Sequence, residues 1–451
     1  MDIAVLNGSP RGKFSTTLQS VKYLEKVFPG DRFEIVETAS RIRSLEQDFS
    51  PVAEAVAKAD IILFSYPVYT FSVPCQLHRA VELLKSCREI DWKGKCVAQI
   101  TTSKHFYDVT AQRFIEDNVR DLGASYLRGL YADMDDLLSD KGRRELVSFW
   151  KLVRFRYLQE KGLLENTGIS GNPADYEVAV VTDDSDNPVL KEMFGAFSRN
   201  FPGKTRVVDI SRFCFKGGCM GCFHCAADGE CIYKDGYADF LRREIYSASA
   251  ILFAFTVKDH SMGSLFKMYD DRQFCNGHRM MTIGMPVGYL AEGNMAGEYN
   301  LRMMLEARAE VGRNLFCGIV DSASGTDQEQ RVADMARLMW FMLTERIEQP
   351  QNFYGVGGTK IFRDLIWTMR GLMKADHKFY RKHGIYDDFP QRNIGRMLQG
   401  KLLGLMFNNK SIRKKMGAKM NEGMVMPYRK AIEKAVPEKQ ELPDNGISSA
   451  D

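Results

Sequence analysis

The sequence predicts two doubly wound α/β domains in tandem, each built on a five-stranded parallel sheet, followed by a basic helical extension. Three observations carry this reading. Short apolar runs alternate with helix-like stretches, the pattern of a parallel sheet covered on both faces. The pattern then recurs. Val178-Ala179-Val180-Val181 repeats Ile3-Ala4-Val5-Leu6 at an offset of about 175 residues, and Ala248–Phe253 repeats Ala59–Phe64 at about 189. Finally, residues 351–436 hold 18 Lys and Arg against 6 Asp and Glu, in a chain whose net charge is only +4.

At 451 residues the chain exceeds one ordinary core, and 45% hydrophobic with 27% charged residues is a globular composition. Met1-Asp2-Ile3-Ala4-Val5-Leu6 has neither a basic segment nor a long apolar stretch, so no signal peptide is expected. No run approaches the roughly 18–20 apolar residues of a membrane span, and a cytoplasmic protein is the expectation. Five of the ten cysteines crowd into residues 214–231. Disulfide frameworks belong to much smaller secreted chains, so this cluster points to metal or redox chemistry in a reducing compartment. Cys75, Cys87, Cys96, Cys275 and Cys317 are scattered and read as small buried hydrophobes.

Taken in order, Ile3–Leu6 is the first strand and Thr16–Val27 the first helix. Phe33–Val36 and Ile61–Phe64 are the next strands, followed by a helix from about Cys75 to Leu84; Cys96–Ile100 and Ser125–Leu130 supply the fourth and fifth. Five strands in a first domain over 1–165 fit a flavodoxin-like order. Gly168–Ala174 reads as a linker to a second domain over 175–350. The 14-residue growth of the repeat offset falls where the cysteine loop lies, as expected for a duplicated domain with one enlarged loop. Residues 351–436 form the helical basic extension, and 437–451 read as a disordered tail.

The loop after the first strand, Asn7-Gly8-Ser9-Pro10-Arg11-Gly12-Lys13-Phe14-Ser15-Thr16-Thr17, opens directly into a helix. Hydroxyls at Ser9, Ser15, Thr16 and Thr17, the Arg11 and Lys13 cations and unpaired helix amides suit a phosphate; an ordinary turn with Ser15 as N-cap is the alternative. The loop after the third strand, Tyr66-Pro67-Val68-Tyr69-Thr70-Phe71-Ser72-Val73-Pro74, sets aromatics and rigid prolines at the carboxyl end of the sheet, where doubly wound folds bind ligands. Pro67, Val68, Tyr69 and Ser72 suit a flat ring system. Thr102 and Ser103, after the fourth strand, supply a further edge. His105, Tyr107 and Tyr69 can line that ring, although core packing is the default for each.

Gly8-Ser9-Pro10-Arg11 with Ser15-Thr16, then Pro67-Val68-Tyr69, resemble the NADPH-dependent FMN reductase and iron–sulfur flavoprotein group of flavodoxin-like proteins over roughly residues 1–130. The resemblance implies FMN, with its phosphate in the first loop and its ring beside the Pro-Val-Tyr loop. Cluster-bearing members carry a cysteine-rich loop after the second strand, where this chain has Glu37-Thr38-Ala39-Ser40-Arg41-Ile42-Arg43.

That loop stands in the second half. Cys219, Cys222, Cys225 and Cys231 give C-x2-C-x2-C-x5-C among glycines, a run able to wrap a 4Fe–4S cluster. Zinc or unligated thiols are the alternatives. The resemblance places cluster ligands on these four cysteines, with Cys214 a neighbour and His224 outside the set. The flavin features of this half are degraded: Asp183-Asp184-Ser185-Asp186 replaces Gly8-Ser9-Pro10-Arg11, and carboxylates repel a phosphate. No FMN is expected there.

The functional expectation is a flavin and iron–sulfur oxidoreductase passing electrons from ferredoxin or NAD(P)H to a small-molecule acceptor, the two halves acting as a fused pseudo-dimer. A plain NAD(P)H-dependent flavin or quinone reductase with a structural cysteine loop is the second reading. A non-catalytic carrier docking through the basic tail is the third. No catalytic residue is assigned, since seven histidines and no acid–base pair give hydrolysis little support. No nucleic-acid module is present. Homodimerisation stays open; the default for the extension is a helical cap packed on the second domain with its basic face in water, and membrane contact is the less favoured role.

Overall fold

Ile3, Ala4, Val5 and Leu6 are all buried, which a strand achieves when both faces of its sheet are covered. They lie in β1 (Asp2–Asn7), the strand at which the order of the first sheet reverses. The computed structural model of the chain describes residues 1–164, 171–323, 325, 327–390, 393–407 and 410–438. The expected linker lies partly outside these residues, and the expected disordered tail almost wholly so.

β1 pairs in parallel with β2 (Arg32–Glu37) and β3 (Ile61–Pro67), and β3 with β4 (Cys96–Ser103). Period-two alternation decides which side chains meet which helices. Ile3, Val5, Ile61 and Leu63 pack with Leu18, Val21 and Leu24 of α1 (Thr16–Val27) and, further along the chain, with Phe149, Trp150 and Val153. Leu6, Ile62 and Phe64 pack on the other face. Their partners are Val52 of α3 (Ser50–Lys58), Leu77 of α4 (Cys75–Ser86) and Ile115 of α5 (Asp108–Asp121), the short α2 (Ile42–Leu45) preceding them. Phe149, Trp150 and Val153 belong to α6 (Asp140–Glu160).

The expected fifth strand, Ser125–Leu130, is interrupted. β5 (Ser125–Tyr126) and β6 (Leu130–Asp133) both pair with β4, so six segments occupy the five positions of the order β2-β1-β3-β4-β5. Gly129 sits at the break. A Cβ there would come 2.5 Å from the Gln99 side chain and 2.9 Å from its carbonyl oxygen, so any side chain at this crossing would force β4 to shift.

The second unit has the same topology. β7 (Glu177–Thr182), β8 (Lys204–Asp209), β9 (Ala250–Thr256), β10 (Pro286–Glu292) and β11 (Leu315–Asp321) form an all-parallel sheet of order β8-β7-β9-β10-β11. α7 (Pro188–Asn200), α8 (Tyr237–Phe240), α9 (Gly263–Arg272), α10 (Tyr299–Val311) and α11 (Gln328–Thr344) complete it. The repeat extends to backbone detail. Tyr69 and Ser72 exchange both backbone hydrogen bonds across Thr70 and Phe71, which have φ of 42° and 69°; Lys258 and Ser261 do the same across Asp259 and His260, at 49° and 58°.

Beyond α11 lie α12 (Phe353–Thr368), α13 (Lys374–Lys382), α14 (Ile394–Phe407) and α15 (Lys410–Glu433). By contact, one compact unit comprises Met1–Gly168, Glu348–Phe353 and Gly395–Asp451, and the other Ile169–Ile347 and Tyr354–Ile394. The basic extension is thus shared between the units, because apolar residues spaced among its charges are buried in both. Ile366, Met373, Tyr380 and Tyr386 pack with Ala226 and Met280 in the second unit, while Val425 and Tyr428 enter the core of the first. Among the described residues, no helix is long and apolar enough to cross a membrane.

Candidate functional site

Three loops leave the carboxyl ends of β1, β3 and β4 and meet around a cleft of about 340 Å³, within the range of small-ligand sites. The cleft lies at the β1/β3 reversal of strand order, where doubly wound sheets open a crevice. Ser9, Arg11 and Thr16 line one part, Pro67, Val68 and Tyr69 another, and Thr102 and Ser103 a third. One end is therefore hydroxyl-rich and cationic beside the N-terminus of α1, and another is flat and apolar.

The remaining expected residues stand behind this lining. Ser15 caps α1, its hydroxyl accepting from the Leu18 amide at 3.3 Å. Thr17 is fully buried and its hydroxyl lies 2.6 Å from that of Thr102. This pair ties the phosphate-type loop to the end of β4. Ser72 closes the tight turn with Tyr69 through its backbone and does not line the cleft. His105 is buried with its Nδ1 2.9 Å from the Asp108 carboxylate, and Tyr107 stacks on Phe353 at 4.7 Å.

Sequence reasoning placed Thr70 and Phe71 in the loop without singling them out and omitted Lys104, Phe106 and Met134; all five also line the cleft. Tyr69, Phe71 and Phe106 are 44%, 48% and 60% exposed, and so large an exposed aromatic surface marks a binding edge. The signal for Phe71 was its place in the aromatic loop after the third strand; Lys104 and Phe106 follow β4 directly. Lys104 is held by Asp133 at 2.6 Å and Asp135 at 2.9 Å. Met134 comes from the interrupted strand and carried no sequence signal. The polar end, the N-terminus of α1 and the aromatic edge match in kind the phosphate and planar ring of FMN.

At the corresponding strand ends of the second unit, the loop side chains pair with one another. Lys258 approaches Asp183 at 3.6 Å, and Glu292 accepts from Asn187 at 2.6 Å and from Thr256 at 2.5 Å. Burial raises the Asp183 carboxyl above its ordinary range.

The cysteine loop is stapled at both ends. Arg272 pairs with Asp235 at 2.8 Å, both side chains being at most 2% exposed. Arg272 also donates to the Gly217 carbonyl at 2.8 Å and lies over Tyr233 and Tyr237 at 4.8 and 5.0 Å. Between these anchors Cys219 and Cys222 are exposed, and Cys225 and Cys231 half-buried. Burial pushes the Cys225 thiol up, and the thiols of Cys231, Cys219 and Cys222 push it further. Cys231, Cys219 and Cys222 each therefore lie within electrostatic reach of Cys225. Among the described residues, however, no three or more His, Cys, Asp or Glu side chains are gathered closely enough to hold a metal ion. The donor set fits a thiolate-ligated centre; the spacing is not that of a closed ligand shell.

Cys275, expected to be an inert hydrophobe, is buried beneath this loop, and burial with Cys225 and Cys231 nearby pushes its thiol up to about 12.

Residues 1–116 match the family described as NADPH-dependent FMN reductase, about a quarter of the chain. An iron-sulfur flavoprotein of Archaeoglobus fulgidus is 24% identical over 173 residues, covering 37% of this chain and 78% of that protein. Among solved structures, a flavoenzyme NAD(P)H:(acceptor) oxidoreductase of Paracoccus denitrificans is 19% identical, covering 34% of this chain and 97% of the other, with a TM-score of 0.27. An NAD(P)H:quinone oxidoreductase of Methanothermobacter marburgensis is 13% identical, covering 35% and 94%, with a TM-score of 0.25. Residues 1–116 are thus similar to the family described as NADPH-dependent FMN reductase.

Proposed function

We propose that the chain is an NAD(P)H-driven flavin oxidoreductase that holds FMN in the cleft of the first unit and a 4Fe–4S cluster on Cys219, Cys222, Cys225 and Cys231, and delivers electrons to a small acceptor. The observation that carries the flavin part is the convergence of the β1, β3 and β4 loops on one cleft, polar at one end and aromatic at the other. Bound FMN supplies two-electron uptake with one-electron release, which the polypeptide lacks. The chain's own residues bind and orient. Ser9, Thr16 and Arg11 offer hydroxyl donors and a cation to the phosphate, and Pro67, Val68 and Tyr69 offer a flat apolar edge to the ring. The strained Thr70–Phe71 turn fixes the height of that edge.

The cluster reading rests on donor chemistry: four thiols on one short, stapled loop, none of them in a disulfide. A specific observation favours the plainer alternative, a flavin reductase whose cysteine loop is structural, namely that the thiols are not drawn together. The deciding experiment is an anaerobic absorption spectrum with iron, sulfide and flavin determinations on one preparation. About four irons and one FMN per chain are expected. FMN without iron selects the plainer reductase, and protein without flavin after reconstitution overturns both. Rapid bleaching of the flavin by NADPH identifies the donor. Bleaching by reduced ferredoxin alone replaces NAD(P)H in the scheme.

A further inference from the structure

We propose that the C-terminal helix is part of the cofactor site, with Asn421 acting as a positioning residue that fixes the guanidinium of Arg11 at the phosphate end of the cleft. This rests on the reading of the cleft as the FMN site.

Arg11 lines the cleft from the loop after β1. An arginine there has a long side chain with many rotamers, and ordering it upon binding costs affinity. Here it is already ordered. Its Nη2 donates to Asn421 Oδ1 at 3.1 Å and lies 2.8 Å from Met424 Sδ. Asn421, Met424, Val425 and Tyr428 stand at i, i+3, i+4 and i+7 of α15, one face of the helix. Val425 and Tyr428 are buried in the first unit's core with Leu137, Leu146 and Phe149. The Tyr428 hydroxyl donates to the carbonyl of Met134 at 2.7 Å, and Met134 lines the same cleft. The helix is therefore fastened to the rim at Arg11 and at Met134, and rooted in the core between them.

The chemistry of the clasp matters as much as its position. An amide oxygen takes one guanidinium N–H and leaves the other donors for an anion. It also leaves the positive charge intact. A carboxylate at the same place would hold the arginine equally well but would cancel the charge a phosphate needs. A neutral acceptor suits an arginine that is to be aimed and not neutralised.

The test compares FMN with riboflavin, which lacks the phosphate, by flavin fluorescence titration of the full chain. N421A is expected to weaken FMN about three- to tenfold and leave riboflavin unchanged. N421D is expected to weaken FMN further, again without touching riboflavin. Equal losses of both ligands would show that Asn421 serves packing alone, and an unchanged FMN affinity would show that Arg11 needs no clasp; either overturns the proposal. The double variant Ser9→Ala/Thr16→Val reports on the cleft itself. If it weakens FMN while N421A does not, only the helix's role falls. If it also leaves FMN unaffected, the cleft is not the FMN site and both readings fall.

Discussion

At the scale of single residues, buried polar pairs hold the two candidate sites in shape. The Thr17 and Thr102 hydroxyls are 2.6 Å apart at sites 0% and 5% exposed. Thr102→Val keeps the volume but strands the Thr17 hydroxyl, and should cost about 1–3 kcal/mol in urea unfolding of the flavin-free protein. Asp235 and Arg272 do the same for the cysteine loop. Burial alone would raise the Asp235 carboxyl, but hydrogen bonds from Arg272 and the Lys216 amide outweigh it and hold the carboxyl below its ordinary range. A carboxyl lowered by folding contributes stability above the unfolded value, about pH 4, and loses it as pH falls through the folded value. Arg272→Met leaves a buried carboxylate unpaired and should cost about 3–5 kcal/mol at neutral pH. It should also flatten the acid limb of a stability-versus-pH curve. An unchanged acid limb in that variant would show that Asp235 draws its stabilisation from elsewhere. The hydroxyls of Ser9, Thr16 and Thr102 were legible in sequence because they stand in the loop after β1, at the start of α1 and at the end of β4, whereas the Arg272–Asp235 pair spans 37 positions and had no local signal.

Among the elements, most strands announced themselves as unbroken apolar runs, since a strand buried on both faces has no polar side to interrupt it. The fifth strand did not. Leu127-Arg128-Gly129 reads as part of a continuous run, yet the backbone there breaks from β4 over the Gln99 side chain. Gly129→Ala should lower stability by about 1–3 kcal/mol through overpacking. Thermal unfolding measures it, and an unaltered midpoint would mean that Gln99 yields freely. The extension shows the opposite problem. Its charge was visible, but a basic helix with scattered apolar residues can face water or pack, and periodicity alone does not choose. Val425 and Tyr428 settle the matter for α15 by entering a core assembled from residues of the first strands and helices, Ile3 to Tyr157.

For the whole molecule, one sheet order occurs twice and the loops at the strand ends differ. Each unit has its own core, so loss of one site should leave the other intact. The double variant Cys219→Ser/Cys222→Ser, at two exposed positions, should lower iron from about four per chain to below one with FMN content unchanged. Metal and flavin assays on the same sample decide it, and parallel loss of flavin would mean that the units depend on each other for folding. By itself the sequence determined the fold class, the repeat, the three cleft loops and the thiol run, because each is written in residues adjacent along the chain: apolar periodicity, turn residues after a strand, cysteines two apart. Only the tertiary structure decided that Met134 and Lys104 line the cleft, that Arg272 staples the cysteine loop, and that a helix some four hundred residues from Arg11 reaches it. Those contacts depend on which surfaces meet after burial, and burial is a property of the whole packed unit that no local window of sequence contains.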